Sequence, residues 1–283
     1  MTLRVFPIRR RTAAIAALCL GAATLAQAAA PAWAEKLKLG NEGVYPPFSM
    51  VDPSGKLTGV EPDLAREMCK RMNVECEIIA MDFKALIPSL LQGKFDILVS
   101  QLSPTPERKE KLLFGTPIVY NPTTFVVPAT SKYEFTKEGM KGKGLKIALQ
   151  RGAATVKYIQ DRYGDSLDYV FYDNPDQMRL DLLAGRINMV FDSKINWTIE
   201  LISKPEGKDW KLDGGEHWIG DPAIPEGDRG FSWAVRKGDD ALLARMNAAL
   251  KEILADCTYT RIRKVYLDIT ILQADAACVA KTN

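Results

Sequence analysis

The chain has 283 residues, with 38 lysines and arginines, 35 aspartates and glutamates, and a single histidine. Residues 1–34 hold four arginines and no acidic residue, so the remainder has 34 basic and 35 acidic residues, a net charge of −1. This balance does not favour nucleic acid or an anionic membrane surface as partner, and one histidine without a C-x-x-C pair leads us to expect no metal and no cofactor.

The first 34 residues have the pattern of a secretory signal peptide. Arginines precede an apolar run over 12–26, and small residues at A-x-A spacing follow at Ala28, Ala30 and Ala34. The apolar run is short for a membrane span. We predict cleavage after Ala34, with Ala28 or Ala30 as other positions, and export of the remainder. An uncleaved membrane anchor is the alternative.

Strand-like and helix-like segments alternate from residue 36 onward. Apolar runs predict strands at 36–40, 76–80 and 95–99, and the patterns at 62–72 and 88–92 predict helices. Alternation of this kind is typical of parallel sheets covered by helices. The sequence therefore predicts an α/β fold of parallel sheets covered by helices.

An internal sequence repeat indicates two lobes. Residues 90–100 read LLQGKFDILVS and residues 182–192 read LLAGRINMVFD. In each, an apolar helix end, a glycine and a buried strand lead to a polar residue. Ligands of open α/β sheets bind beyond the carboxyl ends of strands. We therefore expect the strand ends after Val99 and Phe191 to face a shared cleft.

A third strand end lies within ALQRGAATVKYIQ, residues 148–160. An apolar strand turns at Gly152 and a helix begins, so bare backbone N–H groups could receive an anion. A plain glycine turn explains the same pattern equally well.

The stretch VSQLSPTPERKE, residues 99–110, places an arginine at a helix start. Thr105 can cap a helix that begins at Pro106, with Arg108 in its first turn. A cation there opposes the helix dipole. Arg108 either meets a neighbouring glutamate or solvent, or grips a carboxylate in bidentate fashion with help from Ser103.

Four cysteines remain after the predicted cleavage, and an even number in an exported protein indicates disulfides. Cys69 lies near a helix end and Cys76 at a strand start, so a tight turn would bring them together. A pairing of Cys257 with Cys278 follows only by elimination. We interpret the single histidine, His217, as an ordinary loop residue.

Three long stretches resemble the periplasmic solute-binding proteins of polar amino acid ABC transporters. They are EGVYPPFSMVDPSGKLTGVEPDLAREMCKRM at 42–72, DFKALIPSLLQGKFDILVSQLSPTPERKEKLLFGTPI at 82–118, and GDRGFSWAVRKGDDALLARMNAALKEILADCTYTRIRKVYLD at 227–268. The lysine/arginine/ornithine-, histidine- and opine-binding members are the most similar in style. The resemblance covers roughly 37–267.

This resemblance implies an α/β fold, a two-lobed, hinged periplasmic binding protein of type II in which each lobe is a mixed sheet flanked by helices. Lobe 1 would comprise 35–124 and 230–283, and lobe 2 would comprise 125–229. Closure of the cleft would capture a small polar ligand with a carboxylate, an amino acid or a derivative of one. A monomer of this kind delivers its ligand to a membrane ABC permease.

The resemblance also assigns roles to residues of the S-x-T-x-x-R element. Its arginine, Arg108, would clamp the ligand α-carboxylate, joined by a backbone amide from the turn at Gly152 to Ala154. The spacing of Cys69 and Cys76 matches the disulfide of the lysine/arginine/ornithine and histidine binders.

Further roles concern the ligand side chain. Tyr45 and Phe83 match aromatic residues that flank it, and Glu42 matches an acid that contacts a distal cation of the ligand. The alternatives are that Tyr45 only packs against a turn, that Phe83 belongs to the core, and that Glu42 is a solvated acid in a loop. The complete predicted ligand-binding set is Glu42, Tyr45, Phe83, Ser100, Gln101, Ser103, Arg108, Gly152, Ala154, Asp192 and Ser193.

The chain departs from the family pattern at the ammonium site. The family's aspartate falls on Ser193, and Asp192 comes one residue earlier. Neighbouring residues on a strand point to opposite faces. Either Asp192 serves through a local shift, or the ligand lacks a free primary α-ammonium, as in an N-substituted amino acid, an opine or another carboxylate.

An enzyme is the alternative class. Periplasmic cyclohexadienyl and arogenate dehydratases resemble the same fold, and Glu42 or Asp192 could act as a general acid. No nucleophile–base pair, metal cluster or phosphate loop stands out in the sequence. We therefore expect a binding protein and not an enzyme.

Overall fold

The computed structural model describes residue 2 and residues 35–282. Apart from residue 2, the predicted signal peptide lies outside the described residues. Within the described part of the chain, no helix combines the length and the apolar composition needed to cross a membrane.

The described chain alternates between strands and helices, as predicted. The strands are β1 (Lys36–Asn41), β2 (Val44–Tyr45), β3 (Ser49–Val51), β4 (Leu57–Thr58), β5 (Glu75–Ala80), β6 (Ile97–Leu102), β7 (Leu112–Val119), β8 (Thr123–Pro128), β9 (Lys146–Gln150), β10 (Asp168–Tyr172), β11 (Met189–Ser193), β12 (Trp210–His217) and β13 (Phe231–Arg236). The α-helices are α1 (Val60–Arg71), α2 (Phe83–Leu91), α3 (Pro106–Lys109), α4 (Lys137–Met140), α5 (Ala154–Tyr163), α6 (Pro175–Leu183), α7 (Lys194–Trp197), α8 (Asp240–Ala255), α9 (Thr258–Tyr266) and α10 (Gln273–Thr282). A π-helix, Thr198–Ile202, follows α7, and 3-10 turns lie at Pro205–Asp209 and Glu226–Asp228.

Two five-stranded sheets share one topology. The first has the order β5-β1-β6-β13-β7 and the second the order β10-β9-β11-β8-β12. In each, the first three strands are parallel, and the fourth runs antiparallel to both neighbours. The helix–glycine–strand repeat leads into the central strand of each sheet, through Gly93 (φ 72°) and Gly185 (φ 68°). The prediction of two similar α/β lobes is confirmed.

Each lobe has an apolar core on both faces of its sheet. In β6, Ile97 and Val99 pack on one face and Leu98 on the other. In β11, Phe191 packs on one face and Val190 on the other. Side chains alternate along a strand, so a central strand covered on both faces reads as a continuous apolar run. These runs carry polar residues only where they end at the cleft.

Two segments connect the sheets. Residues 120–122 join β7 of the first sheet to β8 of the second, and residues 218–230 join β12 back to β13. The helices α8, α9 and α10 follow β13. Tyr259 of α9 and Met246 of α8 belong to the same core cluster as residues of β1 and α1, so α8 and α9 pack against the first sheet and its helices.

Two predicted boundaries need correction. The predicted helix at 88–92 begins earlier, because α2 starts at Phe83 and carries Pro88 in its interior. Proline favours the first turn of a helix, which misplaced the predicted start. The predicted strand at 95–99 is shifted, because β6 begins at Ile97 and ends at Leu102, so Ser100 and Gln101 lie within the strand.

Disulfides join both cysteine pairs. Cys69 and Cys76 are bonded, with Asn73 in the left-handed conformation at the turn between them (φ 54°). The second bond links Cys257 and Cys278. The predicted first pair is confirmed, and the pairing that elimination left open is present.

Candidate functional site

A cavity lies between the lobes, where β6, β9 and β11 end and where Glu42 follows β1. It has about 510 Å³ of empty space, part of it open to solvent. Nine of the eleven predicted residues line it, namely Glu42, Tyr45, Phe83, Gln101, Ser103, Arg108, Ala154, Asp192 and Ser193. The strand ends that the sequence predicted to share a cleft are therefore brought together.

The other two predicted residues, Ser100 and Gly152, do not line the cavity, but each precedes a residue that does. Ser100 Oγ accepts a hydrogen bond of 2.9 Å from the Glu42 backbone N–H and so fixes the start of that loop. Gly152 has φ 80°, and a Cβ atom there would lie 2.9 Å from Lys84 Cα. A side chain at this position would hold the two lobes apart.

Arg108 spans the cleft. The Thr105 side chain accepts a hydrogen bond from the Arg108 backbone N–H at 3.4 Å and caps the single-turn helix α3, as predicted. The guanidinium donates to Ser103 O at 3.0 Å in the first lobe and to Gly152 O at 2.9 Å in the second. Burial lowers the pKa of Arg108 to about 10, with Glu107 opposing that shift, so the group stays charged at neutral pH. A guanidinium has five N–H donors, and two bonds leave donors for an anion.

Two buried carboxyl groups of the first lobe face the same cavity. Glu42 is 6% exposed and accepts a hydrogen bond from Gln150 Nε2 across the cleft. Burial raises the pKa of Glu42 to about 8, Gln150 opposes this, and nearby Asp192 and Asp82 add to it. Glu61 is 1% exposed and accepts a bond of 3.3 Å from Trp233 Nε1; burial raises its pKa well above the usual value.

Asp192 of the second lobe already accepts three hydrogen bonds. Its donors are the Tyr45 hydroxyl at 2.9 Å, the Ser193 backbone N–H at 2.8 Å and Trp197 Nε1 at 3.0 Å. Burial raises the pKa of Asp192, and these bonds oppose the rise. The acid is therefore stabilised by protein donors, one of which comes from the opposite lobe.

Asp192 and Ser193 both line the cavity, although neighbours on a strand were expected to point to opposite faces. The reason is that β11 ends at Ser193 and α7 begins at Lys194, so the chain leaves the pleat there. The side chain of either residue can reach the cleft.

Seven lining residues were not predicted from the sequence: Glu61, Thr123, Gln150, Ala153, Thr155, Ile219 and Phe231. Gln150 is the last residue of β9 and is level with Asp192 in the β9–β11 register. A polar residue at the end of an apolar strand could have indicated it from the sequence. Thr123 pairs with Ser193 in the β8–β11 register, which only the sheet topology defines. Ala154 and Thr155 begin α5, where backbone N–H groups have no intrahelical acceptor.

Polar contacts across the cleft hold the lobes together. Lys84 pairs with Asp173 at 2.8 Å. Lys109, next to Arg108, pairs at 2.7 Å with Asp221 of the connecting segment 218–230. With the Tyr45–Asp192 bond, these contacts define a closed arrangement of the lobes.

His217 lies away from the cavity, at the end of β12 and not in the predicted loop. Its Nδ1 is 3.0 Å from the Tyr158 hydroxyl and its Nε2 is 3.0 Å from Gly214 O. Burial lowers its pKa. Among residues 35–282, no group of three histidine, cysteine, aspartate or glutamate side chains is arranged to hold a metal ion.

Two similar α/β lobes, two connecting segments and a polar cavity between the lobes define the class of hinged, two-lobed binding proteins. The chain matches the family of bacterial extracellular solute-binding proteins, family 3, over residues 37–269, and it belongs to that family. The family is made up of solute-binding proteins. The predicted family and fold class are confirmed.

Curated relatives match over most of their length. The chain is 32% identical over 259 residues to the lysine/arginine/ornithine-binding periplasmic protein of Escherichia coli (strain K12), which covers 90% of this chain and 95% of that protein. It is 31% identical over 258 residues to the histidine-binding periplasmic protein of Salmonella typhimurium (strain LT2), with the same coverage.

Solved structures agree with this assignment. An ancestral arginine-binding protein bound to arginine has a TM-score of 0.72 at 29% identity, covering 82% of this chain and 98% of that chain. A Salmonella typhimurium periplasmic binding protein with high arginine specificity has a TM-score of 0.70 at 28% identity, covering 82% and 99%.

Proposed function

We propose that this protein captures a cationic amino acid, or a derivative that keeps a carboxylate and a cation, and delivers it to a membrane ABC permease. The observation that carries the proposal is the charge around one cavity, where a single guanidinium faces three buried carboxyl groups. Relatives of this chain bind lysine, arginine, ornithine or histidine.

The charges of the cavity indicate which protein group binds which part of the ligand. Arg108 offers a planar fork of donors that suits a carboxylate. Glu42 and Glu61 lie in the same cavity with raised pKa values, because an ionised carboxylate without a cation is unfavourable when buried. A ligand cation supplies that partner and restores the ionised form.

Capture would proceed by closure. The first lobe holds Arg108, Glu42 and Glu61, and the second adds Asp192 and the amides at the start of α5, so each lobe alone offers a fraction of the contacts. A ligand that binds the closed state better shifts the lobes toward it. We keep lobe 1 as 35–124 plus 230–283 and lobe 2 as 125–229 as part of this proposal.

The proposal includes the location of the protein. Export through a cleaved signal peptide would place a monomer in the periplasm, which suits its two disulfides and the periplasmic location of its relatives. Mass spectrometry of the exported protein would test cleavage after Ala34.

A thermal-shift panel on the purified protein tests the ligand class. The panel contains basic, acidic and neutral L-amino acids, their N-substituted forms, opines and keto acids. We expect the largest rise in Tm with a basic amino acid. Stabilisation by N-substituted compounds alone would show that the site does not bind a primary α-ammonium. That is the alternative suggested by Ser193 at the position of the family's aspartate.

We also propose that the protein is not an enzyme. Membership of a family of solute-binding proteins supports this. Incubation with prephenate and arogenate, followed by chromatography, should give no product beyond the spontaneous background. Catalytic turnover of either compound would overturn the proposal and favour a dehydratase.

A further inference from the structure

Gln101 carries a buried donor that the protein itself does not use. The side chain lines the cavity and is 8% exposed, and its Nε2 has no hydrogen-bond partner among the residues that the structure describes. A buried donor without an acceptor is unfavourable by about 1–3 kcal/mol. Native proteins rarely keep such a group unless an acceptor arrives from elsewhere.

The orientation of this amide follows from its neighbours. Asn121 Oδ1 accepts a hydrogen bond of 3.0 Å from the Ile195 backbone N–H. Asn121 must therefore present its Nδ2, which donates to Asn196 Oδ1 at 3.1 Å and to Gln101 Oε1 at 3.4 Å. Since an N–H donor faces Gln101 on that side, Oε1 is turned toward Asn121 and Nε2 is left without an acceptor from the described residues.

The same bonds connect the lobes. Gln101 belongs to β6 in the first lobe, and Asn121 lies in the connecting segment 120–122. Asn196 follows β11 of the second lobe and donates from Nδ2 to Pro46 O in the first, at 2.9 Å. The chain of amides is complete only while the lobes are together, as they are here.

We propose that Gln101 Nε2 donates a hydrogen bond to an oxygen atom of the ligand, and that Asn121 and Asn196 are positioning residues that aim it. This inference rests on the proposed function and adds a recognition element to it. The acceptor is a carboxylate oxygen beside Arg108 or a carbonyl oxygen elsewhere in the ligand. Gln101 and Ser103 are two residues apart along the same strand end, and both line the cavity.

Calorimetry on Gln101→Met tests the contact, because methionine keeps the length of the side chain and removes the donor. The probes are L-arginine, whose only oxygen atoms are in its carboxylate, and L-citrulline, which adds a ureido carbonyl. We expect a loss of about tenfold in affinity. An equal loss for both probes assigns the bond to the carboxylate, and a loss for citrulline alone assigns it to the carbonyl. Unchanged affinity for both overturns the proposal.

The unfolding temperature of the unliganded variant separates this role from a structural one. Nε2 has no protein partner, and Oε1 accepts only a bond of 3.4 Å from Asn121 Nδ2, which keeps its bond to Asn196 Oδ1. Gln101→Met should therefore leave the unliganded Tm within about 2 °C of the wild type. A lower Tm with unchanged affinity would show that the amide serves only the fold, and would overturn the proposal.

Asn121→Asp tests the positioning. Aspartate keeps an acceptor for the Ile195 N–H and presents a second oxygen in place of Nδ2, so Gln101 is expected to turn over and donate to it. In this background Gln101→Met should change affinity by less than about twofold. A full tenfold effect in both backgrounds would overturn the positioning role of Asn121.

The panel also distinguishes failure of this inference from failure of the proposed function. If the wild type binds no basic amino acid and no derivative of one, but binds a keto acid or a neutral or acidic amino acid, the proposed function fails. The Gln101 variants are then measured with that compound, and the same two outcomes apply.

Discussion

The two faces of the cleft offer a ligand different things. The first lobe contributes the charged groups Arg108, Glu42 and Glu61, and both of its carboxyl groups have strongly raised pKa values. The second lobe contributes backbone amides at the start of α5, the Gln150 side chain, and Asp192, which already has three hydrogen-bond donors.

This difference indicates that the lobes have different tasks. Charged groups that have few hydrogen-bond or ion-pair partners within the protein are stabilised most by a ligand, and these groups lie in the first lobe. Groups whose partners are supplied by the protein gain less, and Asp192 draws one of its donors from across the cleft. We infer that the first lobe selects the ligand and the second lobe closes over it.

The largest effect is expected at Arg108. Arg108→Ala removes the carboxylate clamp and should weaken binding about 100-fold or more, as for other buried charge-assisted contacts. Arg108→Lys keeps the charge but cannot donate two parallel hydrogen bonds, so its affinity should lie between those of the wild type and the alanine variant. Calorimetry with the best ligand of the panel measures this, and near wild-type affinity of the alanine variant would remove Arg108 from the site.

A comparison of two isosteric changes tests the difference between the lobes. Glu42→Gln should weaken binding of a cationic amino acid by about 10- to 100-fold, because the ligand cation loses a carboxylate partner. Asp192→Asn should have a smaller effect, since its carboxylate is held by protein donors. A larger loss at Asp192 would reverse the assignment of tasks.

The pH dependence of binding follows from the raised pKa of Glu42, about 8. Below pH 8 the unliganded carboxyl group is mostly protonated, and a bound cation favours its ionised form. Binding therefore releases a proton, and affinity should rise from pH 6 toward pH 8 by at most about tenfold per pH unit. Calorimetry in buffers of different ionisation enthalpy measures the number of protons released on binding.

Glu42→Gln is the control for that dependence. The variant has no carboxyl group to titrate at this position, so its affinity should vary less over the same pH range. An unchanged pH slope in the variant would assign the proton to Glu61 or Asp192 and not to Glu42.

Closure is tested by Tyr45→Phe. This change keeps the ring and removes the hydroxyl that donates to Asp192 across the cleft. We expect affinity to fall by about two- to tenfold, as for the loss of one hydrogen bond. Small-angle X-ray scattering should show a larger radius of gyration in the unliganded variant. An unchanged radius with unchanged affinity would show that this bond does not stabilise the closed state.

The smallest effect is expected from Lys84→Ala. Its ion pair with Asp173 crosses the cleft, but the Lys84 and Asp173 side chains are 42% and 33% exposed. Exposed ion pairs contribute about 0–1 kcal/mol, so affinity should change by less than about fivefold. A loss comparable to that of Arg108→Ala would mean that this exposed ion pair determines affinity as much as the buried charged groups of the cavity do.

Features set by short stretches of chain were predictable from the sequence. The Thr105 cap and the start of α3 depend on four neighbouring residues, and the Cys69–Cys76 bond closes a short turn. The two helix–glycine–strand joints repeat a local pattern, and they predicted the lobes and the shared cleft. The resemblance to a known family then supplied most of the residues that line the cavity.

Features that depend on distant residues were not predictable. Glu61 looks like an acid placed to suit the dipole of α1, and only the fold brings it under the cavity beside Trp233. The side-chain orientation of Gln101 depends on Asn121, whose own orientation depends on Ile195. The shared access of Asp192 and Ser193 depends on where β11 ends, which the apolar pattern does not specify.

A crystal structure of the complex with the most stabilising ligand of the panel tests the central claim most directly. The account predicts that the ligand carboxylate lies within hydrogen-bond distance of the Arg108 guanidinium, with a ligand cation against Glu42 or Glu61. A ligand whose charged groups contact only the second lobe, or whose carboxylate lies away from Arg108, would contradict the conclusion that the first lobe selects the ligand.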